Sequence, residues 1–356
     1  MKPFQWHPAA RVVGDDRALR AVLAMPGRAF RIGGAGPQPV GDGVFETLTS
    51  GSSGAPRRIL RSMASWTASF AVNAGLFGIG PGRQVAVLGD LVHSLALYVA
   101  LEALHLGAQL RLLGGMRPDR QAAALAGAEV IYATPAQLRL LVEVGWQATG
   151  LILVGGSKLD TGLRAALAGA DLREFYGAAE ASFITLSAPG MPAGSVGAAY
   201  PGVEIDLRAA EIWVRSPYLF QGYAGVDRGG AVWDQGWLSV GEMGRLEAGL
   251  LYLSGRAGRM VTVADQNVFP EEIEGFIAGL AGVARVAVLP RPDARRGSVM
   301  LAVLQGDPGQ EAAILAACRA HLGALKAPRA VIWRADWPVL ASGKTDLQRL
   351  AREVGL

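Results

Sequence analysis

Short apolar runs alternate with longer helix-like segments from about residue 44 to residue 175, and this alternation constrains the fold more than any other feature. Four runs have the length and apolar character of strands, at residues 84–88, 108–112, 129–132 and 151–154. Helix-like segments lie near 63–78, 93–106, 118–127 and 135–145. Strands joined by helical crossovers form parallel sheets, so the sequence predicts an α/β core: a mainly parallel sheet with helices on both faces.

The pattern changes twice further along the chain. From about Gly194, short strand-like runs at 204–207, 211–214 and 250–253 are separated by turns, which predicts a small, partly antiparallel β unit. After Arg256 come a helix entered at Pro270 and further strands and a helix, a pattern typical of a small α+β domain. We therefore predict two domains, residues 1–256 and residues 257–356.

Composition and charge exclude several classes of protein. Charged residues make up 18% of the chain and the net charge is only +4, with arginines dispersed, so we expect no nucleic-acid partner. The single cysteine, Cys318, cannot form an intrachain disulfide, and we interpret it as a buried, inert thiol. The most apolar stretch, 95–113, is interrupted by charged residues. We expect a cytoplasmic protein that does not enter a membrane.

A loop rich in hydroxyls and glycines follows the strand-like run 44–48. Its backbone N–H and side-chain O–H groups are suited to bind phosphate oxygens, and glycine permits the close approach. No Lys-Ser/Thr pair follows its last glycine, so it is not a Walker loop. An ordinary Ser/Gly surface loop is the alternative. The candidate phosphate-binding residues are Thr49, Ser50, Gly51, Ser52, Ser53, Gly54 and Arg57.

The loop resembles the Ser/Thr/Gly-rich phosphate loop of the adenylate-forming superfamily, which contains acyl-CoA synthetases, peptide-synthetase adenylation domains and luciferases. Further motifs of that superfamily follow in the same order and cover nearly the whole chain from Phe45 onward. They lie at residues 155–159, 176–180, 236–242, 255–256, 267–274, 326–329 and 342–344.

The resemblance implies a nucleotide site. Gly155, Gly156 and Ser157 would form the turn that lies against the adenine, and Tyr176, followed by Gly177, would stack on it. Glu180 would hold Mg²⁺, a hard cation that prefers carboxylates and phosphate oxygens. Glu242 would bind the ribose hydroxyls, and Arg256 would precede the hinge between the domains. Without the resemblance, Tyr176 is more typical of a core residue than of a nucleotide platform, and Glu180 is typical of a surface acid.

Two further residues are candidates for catalysis. Lys344 is one of only four lysines, against thirty arginines, which indicates a place where a compact charge is needed. The resemblance implies that Lys344 reaches the substrate carboxylate and the α-phosphate, where charge develops. His93 matches the position that lines the acyl pocket, although a purely structural histidine is the alternative.

The chain departs from the superfamily pattern at several positions. The phosphate loop begins early, so the N-terminal region is shortened, and a homodimer or a partner chain is expected to cover the exposed edge. Glu242 replaces the customary Asp, and Ala179 replaces a Thr. Ala264 and Asp265 stand where glycines usually flank the pantetheine tunnel.

Taken together, the resemblance implies an AMP-forming acid–thiol ligase. With ATP and Mg²⁺ it would activate a small carboxylic acid as an acyl-adenylate and release pyrophosphate, and CoA would then accept the acyl group. The alternatives are transfer to the phosphopantetheine of an acyl carrier protein, transfer to a non-thiol acceptor, and a catalytically degenerate nucleotide-binding scaffold. The sequence does not identify the acid.

Overall fold

The computed structural model of the protein describes residues 3–49, 57–192, 194–225, 229–264, 266–340 and 344–356. Its helices begin and end mostly as the sequence predicts. They are α1 (Arg17–Leu23), α2 (Met63–Phe77), α3 (Ser94–Leu106), α4 (Pro118–Ala124), α5 (Pro135–Glu143), α6 (Thr161–Ala166), α7 (Pro270–Ile277), α8 (Glu311–Lys326) and α9 (Leu347–Glu353).

The strands of the first half of the chain include the four expected from the sequence. They are β1 (Arg11–Val13), β2 (Phe30–Arg31), β3 (Val44–Leu48), β4 (Arg58–Ser62), β5 (Gln84–Val87), β6 (Gln109–Leu112), β7 (Val130–Ala133), β8 (Leu151–Gly155), β9 (Asp171–Ala178) and β10 (Ser182–Leu186). The second half contributes β11 (Ser195–Ala199), β12 (Glu204–Arg208), β13 (Glu211–Arg215), β14 (Gly222–Tyr223), β15 (Val232–Asp234), β16 (Trp237–Glu247), β17 (Leu250–Arg256), β18 (Val261–Val263), β19 (Gln266–Val268), β20 (Val283–Asp293), β21 (Gly297–Gly306) and β22 (Ala330–Trp333).

Most of these strands join one large sheet in the order β1-β6-β5-β7-β8-β9-β10-β11-β17-β16-β13-β12, with β15 paired to β16. Neighbours from β1 to β9 run parallel, as predicted from the helical crossovers. From β10 onward each neighbouring pair is antiparallel. A smaller sheet, β14-β4-β3-β2, carries the strands on either side of the Ser/Gly loop.

Alternate residues of the parallel strands enter two different cores. Val85, Val130 and Leu151 pack on the face covered by α2 and α3, whereas Ile131 and Ile152 pack on the face covered by α4, α5 and α6. This alternation follows from the twofold period of a strand, which sends successive side chains to opposite faces. The predicted α/β fold with helices on both faces is confirmed.

The antiparallel strands form the predicted β unit, and they attach to the α/β core by continuing its sheet. The turn between β9 and β10 reverses the chain within the sheet, and Phe183 on β10 pairs with Gly177 on β9. The later antiparallel strands then extend the same sheet. Periodicity predicts that strands exist but contains no information about which edge they join, so the sequence does not reveal that this unit shares the sheet of the core.

The last hundred or so residues form their own core. β20, β21 and β22 make a three-stranded sheet, and α7 and α8 bury Ile273, Met300 and Cys318 against it. Burial raises the pKa of the Cys318 thiol to about 11, which agrees with an inert cysteine. A short 3-10 turn, Ala257–Arg259, connects this unit to β17. The boundary at residue 257 stays a prediction.

Across the described ranges, no helix combines the length and the apolar character needed to cross a bilayer.

Gly155 ends β8 opposite Phe175 of β9, and this pairing leaves no room for a side chain. A Cβ atom at Gly155 would lie 2.5 Å from the Phe175 ring. We expect Gly155→Ala to lower the free energy of unfolding by about 1–3 kcal/mol, because overpacking displaces the ring. Gly75→Ala, on the exposed face of α2 with nothing within 4 Å of the new methyl group, should raise it by about 0.4–1 kcal/mol. Denaturant unfolding measures both, and equal stability of the two variants would contradict this packing.

Candidate active site

A cavity of about 390 Å³ opens where β5, β7 and β8 end. Gly89, Thr134 and Gly156, which follow these three strands, contribute to its wall. In parallel sheets ligands bind beyond the carboxyl ends of the strands, because loops and helix N-termini meet there. Lys344, from the C-terminal unit, lines the same cavity. Residues from both ends of the chain therefore share one site.

The Ser/Gly loop is closed at its base by two hydrogen bonds. The Thr49 backbone N–H donates to the Arg57 carbonyl at 3.0 Å, and the Arg57 backbone N–H donates to Thr49 Oγ1 at 3.0 Å. Both residues line the cavity, so the two ends of the loop lie at the cavity wall. The rest of the predicted phosphate loop, Ser50, Gly51, Ser52, Ser53 and Gly54, lies outside the described residues.

The Gly-Gly turn after β8 contributes differently at each position. Gly156 and Ser157 are exposed and line the cavity, and the φ of Gly156 is +93°, a value that favours glycine. Gly155 is buried and instead admits the Phe175 ring, which forms part of the wall. Gly155 therefore acts through the shape of the cavity.

Glu180 sits in the turn between β9 and β10 and faces the cavity. The Tyr223 hydroxyl donates to its Oε1 at 2.9 Å. The guanidinium of Arg57 lies 5.9 Å from the centre of the Tyr223 ring, which places a cation beside the same group. The carboxylate is thus held in a fixed orientation.

A buried arginine that the sequence analysis did not single out supports this turn. Arg61 on β4 is fully buried and donates to the carbonyls of Ala179 and Tyr218 and, at 2.7 Å, to Ser182 Oγ. Burial lowers the pKa of Arg61 to about 9, and the nearby charge of Glu180 opposes that shift. The sequence did contain a signal: Arg61 is two residues from Ile59 and so shares a strand face with it, and an arginine on an apolar strand face is unusual.

Tyr176 lies on β9 and is half-buried, and its ring is not part of the cavity wall as this structure has it. Its hydroxyl is buried without a hydrogen-bond partner among the described residues. Burial and the nearby charge of Glu242 raise the pKa of Tyr176. Gly177 lines the cavity, and a Cβ there would collide with the Ser182 carbonyl at 2.2 Å. The absence of a side chain at Gly177 therefore allows the start of β10 to pack closely against β9.

Glu242 and Arg256 face each other across β16 and β17. Arg256 Nε donates to Glu242 Oε1 at 2.8 Å, and both residues line the cavity. The Glu242 side chain is only 15% exposed. One carboxylate oxygen is therefore already bonded to Arg256, which limits how Glu242 can bind two hydroxyls at once.

Lys344 lies directly after residues 341–343, which are outside the described residues. The segments on either side pair with each other: the Leu340 N–H donates to the Lys344 carbonyl at 2.8 Å, and the Asp346 N–H donates to the Pro338 carbonyl at 3.0 Å. Burial lowers the pKa of Lys344, the charge of Arg256 lowers it further, and Glu242 opposes both. The ammonium group therefore lies within electrostatic reach of Glu242 and Arg256.

His93 precedes α3 and lines the cavity. It is held by its backbone, since its N–H donates to the Asp90 carbonyl at 3.0 Å. The side-chain Nδ1 is buried and has no hydrogen-bond partner among the described residues. His93 therefore lies at the cavity, where it was expected, and its role in lining the acyl pocket stays a prediction.

The described acids suit a cation that is shared with phosphate. No group of three or more His, Cys, Asp or Glu in the described ranges is arranged to hold a metal ion alone. Mg²⁺ commonly uses one or two carboxylates and takes its other ligands from phosphate and water. Glu180, oriented by Tyr223 and next to the base of the Ser/Gly loop, fits this mode of binding.

Comparison with known proteins identifies the family. Residues 33–224 match the family model described as AMP-binding enzyme, and residues 272–344 match that of the AMP-binding enzyme C-terminal domain. The protein named uncharacterized acyl-CoA ligase YhfT of Bacillus subtilis is 31% identical over 328 residues, which cover 86% of this chain and 67% of the relative. The chain therefore belongs to the AMP-binding enzymes of the adenylate-forming superfamily, and the predicted resemblance is confirmed.

Solved structures have the same fold. The amide bond synthetase McbA of Marinactinospora thermotolerans is similar with a TM-score of 0.77 and 26% identity, over 91% of this chain and 72% of that chain. ATP-bound MatB of Rhodopseudomonas palustris also gives a TM-score of 0.77, at 23% identity over 90% and 70% of the two chains, and shows the fold alone. The chain spans about two-thirds of the length of these proteins and, as predicted, is an AMP-forming ligase by family.

Glu180→Gln should raise the Mg²⁺ concentration needed for tight ATP binding on the order of 10- to 100-fold, because a neutral amide is a poorer ligand for a hard cation. Calorimetric titration of ATP at stepped Mg²⁺ concentrations measures this without requiring turnover. Glu247→Gln, at an exposed acid paired with Arg245, is the matched control and should not change the Mg²⁺ dependence. An unchanged titration for Glu180→Gln would remove this residue from the metal site.

Proposed function

We propose that this protein activates a carboxylic acid with ATP as an acyl-adenylate, releases pyrophosphate, and then passes the acyl group to the thiol of CoA. The observation that carries the proposal is the meeting of Lys344, Glu242 and Glu180 in one cavity beside the Ser/Gly loop. A cation from the C-terminal unit, two carboxylates and the base of a phosphate-type loop are the groups that adenylation requires.

In the first half-reaction, an oxygen of the substrate carboxylate attacks the α-phosphorus of ATP. The bond from the α-phosphorus to the bridging oxygen breaks, and its electron pair leaves with pyrophosphate. Lys344 would neutralise the charge that develops on the α-phosphate, and the loop from Thr49 to Arg57 would hold the other phosphates. Mg²⁺, when bound at Glu180, would supply additional neutralisation. Fixed charges in a partly dry site account for most of the catalysis in this chemistry.

In the second half-reaction, a thiolate attacks the acyl carbon and AMP leaves. The resemblance to the superfamily implies a hinge at Gly258, and rotation about it would remove Lys344 and admit the thiol. Gly258 sits in the turn between β17 and the C-terminal unit, with nothing within 4 Å of the place where a side chain would begin. This freedom from contacts supports the hinge.

The acceptor of the acyl group, the cellular location and the oligomeric state are also proposals. The amide bond synthetase among the structural relatives favours keeping a non-thiol acceptor as the second candidate. A carrier-protein phosphopantetheine is the third. We also propose a cytoplasmic location, and a homodimer would form most simply at the sheet edge, where β1 exposes Val13.

A degenerate scaffold would not need its cation inside the cavity. Burying an ammonium group costs free energy unless a partner compensates it, and a scaffold gains nothing from that cost. The lowered pKa of Lys344 records this cost, since burial is its largest cause. The position of Lys344 therefore supports a catalytic role.

Lys344→Ala should reduce acid-dependent exchange of labelled pyrophosphate into ATP by roughly 10²- to 10³-fold, because a preorganised cation is lost. ATP affinity should change only a few-fold. The matched control is Lys326→Ala, which removes a lysine that pairs with Glu272 at 2.7 Å outside the cavity. Exchange that stays within a few-fold of the parent in Lys344→Ala would contradict the proposal.

Ala264 tests the acceptor step. Its φ of +45° is a conformation that costs a residue with a Cβ about 1–2 kcal/mol, and glycine adopts it freely. Ala264→Gly should therefore keep or raise the stability, whereas Ala313→Gly, at an exposed position within α8, should cost about 1 kcal/mol. Its neighbour Asp265 lies outside the described residues.

Ala264→Gly should also speed transfer from a preformed acyl-adenylate to CoA, because it removes the Ala264 methyl group that narrows the expected path of the thiol. We expect the parent to adenylate well and to transfer slowly to free CoA. Single-turnover rates measure the two steps separately. A parent that transfers to CoA as fast as it adenylates would contradict the narrowed path.

A further inference from the structure

One part of the cavity is lined by aromatic rings. Trp66 and Tyr98 meet edge to face with ring centroids 5.1 Å apart, Tyr98 and Phe183 are 5.6 Å apart, and Phe183 and Phe175 are 4.7 Å apart. These four residues and Tyr132 line the cavity, and we call them the aromatic wall. Rings packed in this way bury flat apolar groups and add ring–ring contacts.

The two tyrosines of the aromatic wall direct their hydroxyls away from the cavity. The Tyr98 hydroxyl lies 2.8 Å from Ser69 Oγ and accepts from Asn73 Nδ2 at 3.0 Å. The Tyr132 hydroxyl donates to Glu102 Oε2 at 2.7 Å. Ser69, Asn73 and Glu102 are fully buried, and none of them lines the cavity. The wall therefore offers ring surfaces to a ligand and keeps its hydroxyls occupied.

Glu102, on α3, is the centre of this buried polar cluster. It accepts from Asn73 Nδ2 at 2.7 Å as well as from Tyr132, and no lysine or arginine in the described ranges pairs with it. Burying a carboxylate without a cation costs free energy, and the buried carboxylate in turn fixes the orientation of the groups that donate to it. Burial raises the pKa of Glu102 to about 7.

The basic residues that line the cavity, Arg57, Arg256 and Lys344, gather around its two carboxylates. Arg256 bonds to Glu242, and Lys344 lies within electrostatic reach of both. Arg57 contacts Tyr223, the residue that donates to Glu180. An acid whose carboxylate lies near Lys344 would thus direct its other end toward the rings. The guanidinium of Arg61 lies 5.5 Å from the Trp66 ring centroid, but Arg61 is fully buried, does not line the cavity and donates to protein oxygens.

We propose that the acid activated here carries an apolar aromatic ring with no charge and no hydrogen-bonding group at the end remote from its carboxylate, and that Glu102 is the positioning residue for this specificity. The proposal rests on the proposed adenylation. Glu102 acts on Tyr132 directly and on Tyr98 through Asn73, and the cluster around it keeps both hydroxyls out of the cavity.

A dicarboxylic acid is the opposite case. Its second carboxylate would lose its water against the aromatic wall and gain no partner there, which is strongly unfavourable. A neutral hydroxyl would be rejected less strongly, since an apolar pocket discriminates against one added hydroxyl by about 100-fold at most.

The test compares three acids of matched shape: 3-(4-methylphenyl)propanoate, its 4-carboxy analogue and its 4-hydroxy analogue. We expect kcat/KM for pyrophosphate exchange to be at least about 100-fold higher for the methyl compound than for the dicarboxylate. Equal or better use of the dicarboxylate would overturn the proposal.

Variants test the role of Glu102. Glu102→Gln should keep the selectivity within a few-fold, because an amide can still bond to Asn73 and Tyr132. Glu102→Leu frees the Tyr132 hydroxyl and leaves Asn73 without its carboxylate acceptor. It should narrow the methyl-to-hydroxy ratio of kcat/KM by about 10-fold, through a higher KM for the methyl compound with kcat little changed, since the reacting carboxylate is at the other end. An unchanged ratio in a folded Glu102→Leu variant would contradict the role.

Tyr132→Phe keeps the ring and removes one bond to Glu102, so it provides the test if Glu102→Leu does not fold. Tyr132→Phe should also narrow the methyl-to-hydroxy ratio of kcat/KM. The reason is that Glu102 loses one hydrogen-bond donor, so the remaining groups of the cluster are held less firmly. Tyr218→Phe removes a buried hydroxyl that donates to the Pro201 carbonyl at 2.8 Å outside the cavity, and it is the matched control. Equal ratios in the two Tyr→Phe variants would count against the cluster.

Direct binding separates this inference from the proposed function. Calorimetry of the three acids, with a non-hydrolysable ATP analogue present, reports the preference of the pocket without turnover. Preferential binding of the methyl compound with no exchange would mean that the adenylation proposal is wrong and the ligand class is right. Exchange with all three acids at similar efficiency, or no preference in binding, would mean that the ligand class is wrong.

Discussion

The burial of the Arg61 guanidinium is the interaction on which the site depends. It connects β4, the β9–β10 turn and the segment before β14 by donating to two carbonyls and a hydroxyl, and it lies 5.5 Å from the Trp66 ring centroid. A desolvated cation is costly unless it is surrounded by acceptors and aromatic faces. Because Ala179 and Ser182 supply such acceptors, the turn that carries Glu180 has one favourable position.

The cavity has two halves, one lined by charged residues and one lined by aromatic rings. The charged half contains Glu180, Glu242 and Lys344 and is suited to phosphate, ribose and a reacting carboxylate. The aromatic half has its tyrosine hydroxyls fixed by Ser69, Asn73 and Glu102 and is suited to an apolar tail. Both halves depend on β8 and β9, since Gly155 admits the Phe175 ring and Gly177 lets the turn close. Binding of the tail is thereby coupled to the placement of the reacting group.

Local sequence signals predicted much of this arrangement. Crossover spacing predicted the parallel sheet, and the motif order placed Thr49, Gly156, Glu180, Glu242 and Lys344 around one cavity. Two features depend on contacts between distant segments and had no local signal. The first is the continuation of the sheet through β10. The second is the Glu102 cluster, which joins residues of α2, α3 and β7 that only the folded chain brings together.

A crystal structure of this chain with a non-hydrolysable acyl-adenylate analogue that carries a 3-phenylpropanoyl group would test the two halves of the cavity together. We expect a ribose within hydrogen-bonding distance of Glu242, the phosphate substitute beside Lys344, and the phenyl ring against Trp66 and Phe183. A nucleotide bound outside the cavity, or a phenyl ring directed to solvent with Lys344 remote from the analogue, would contradict this expectation.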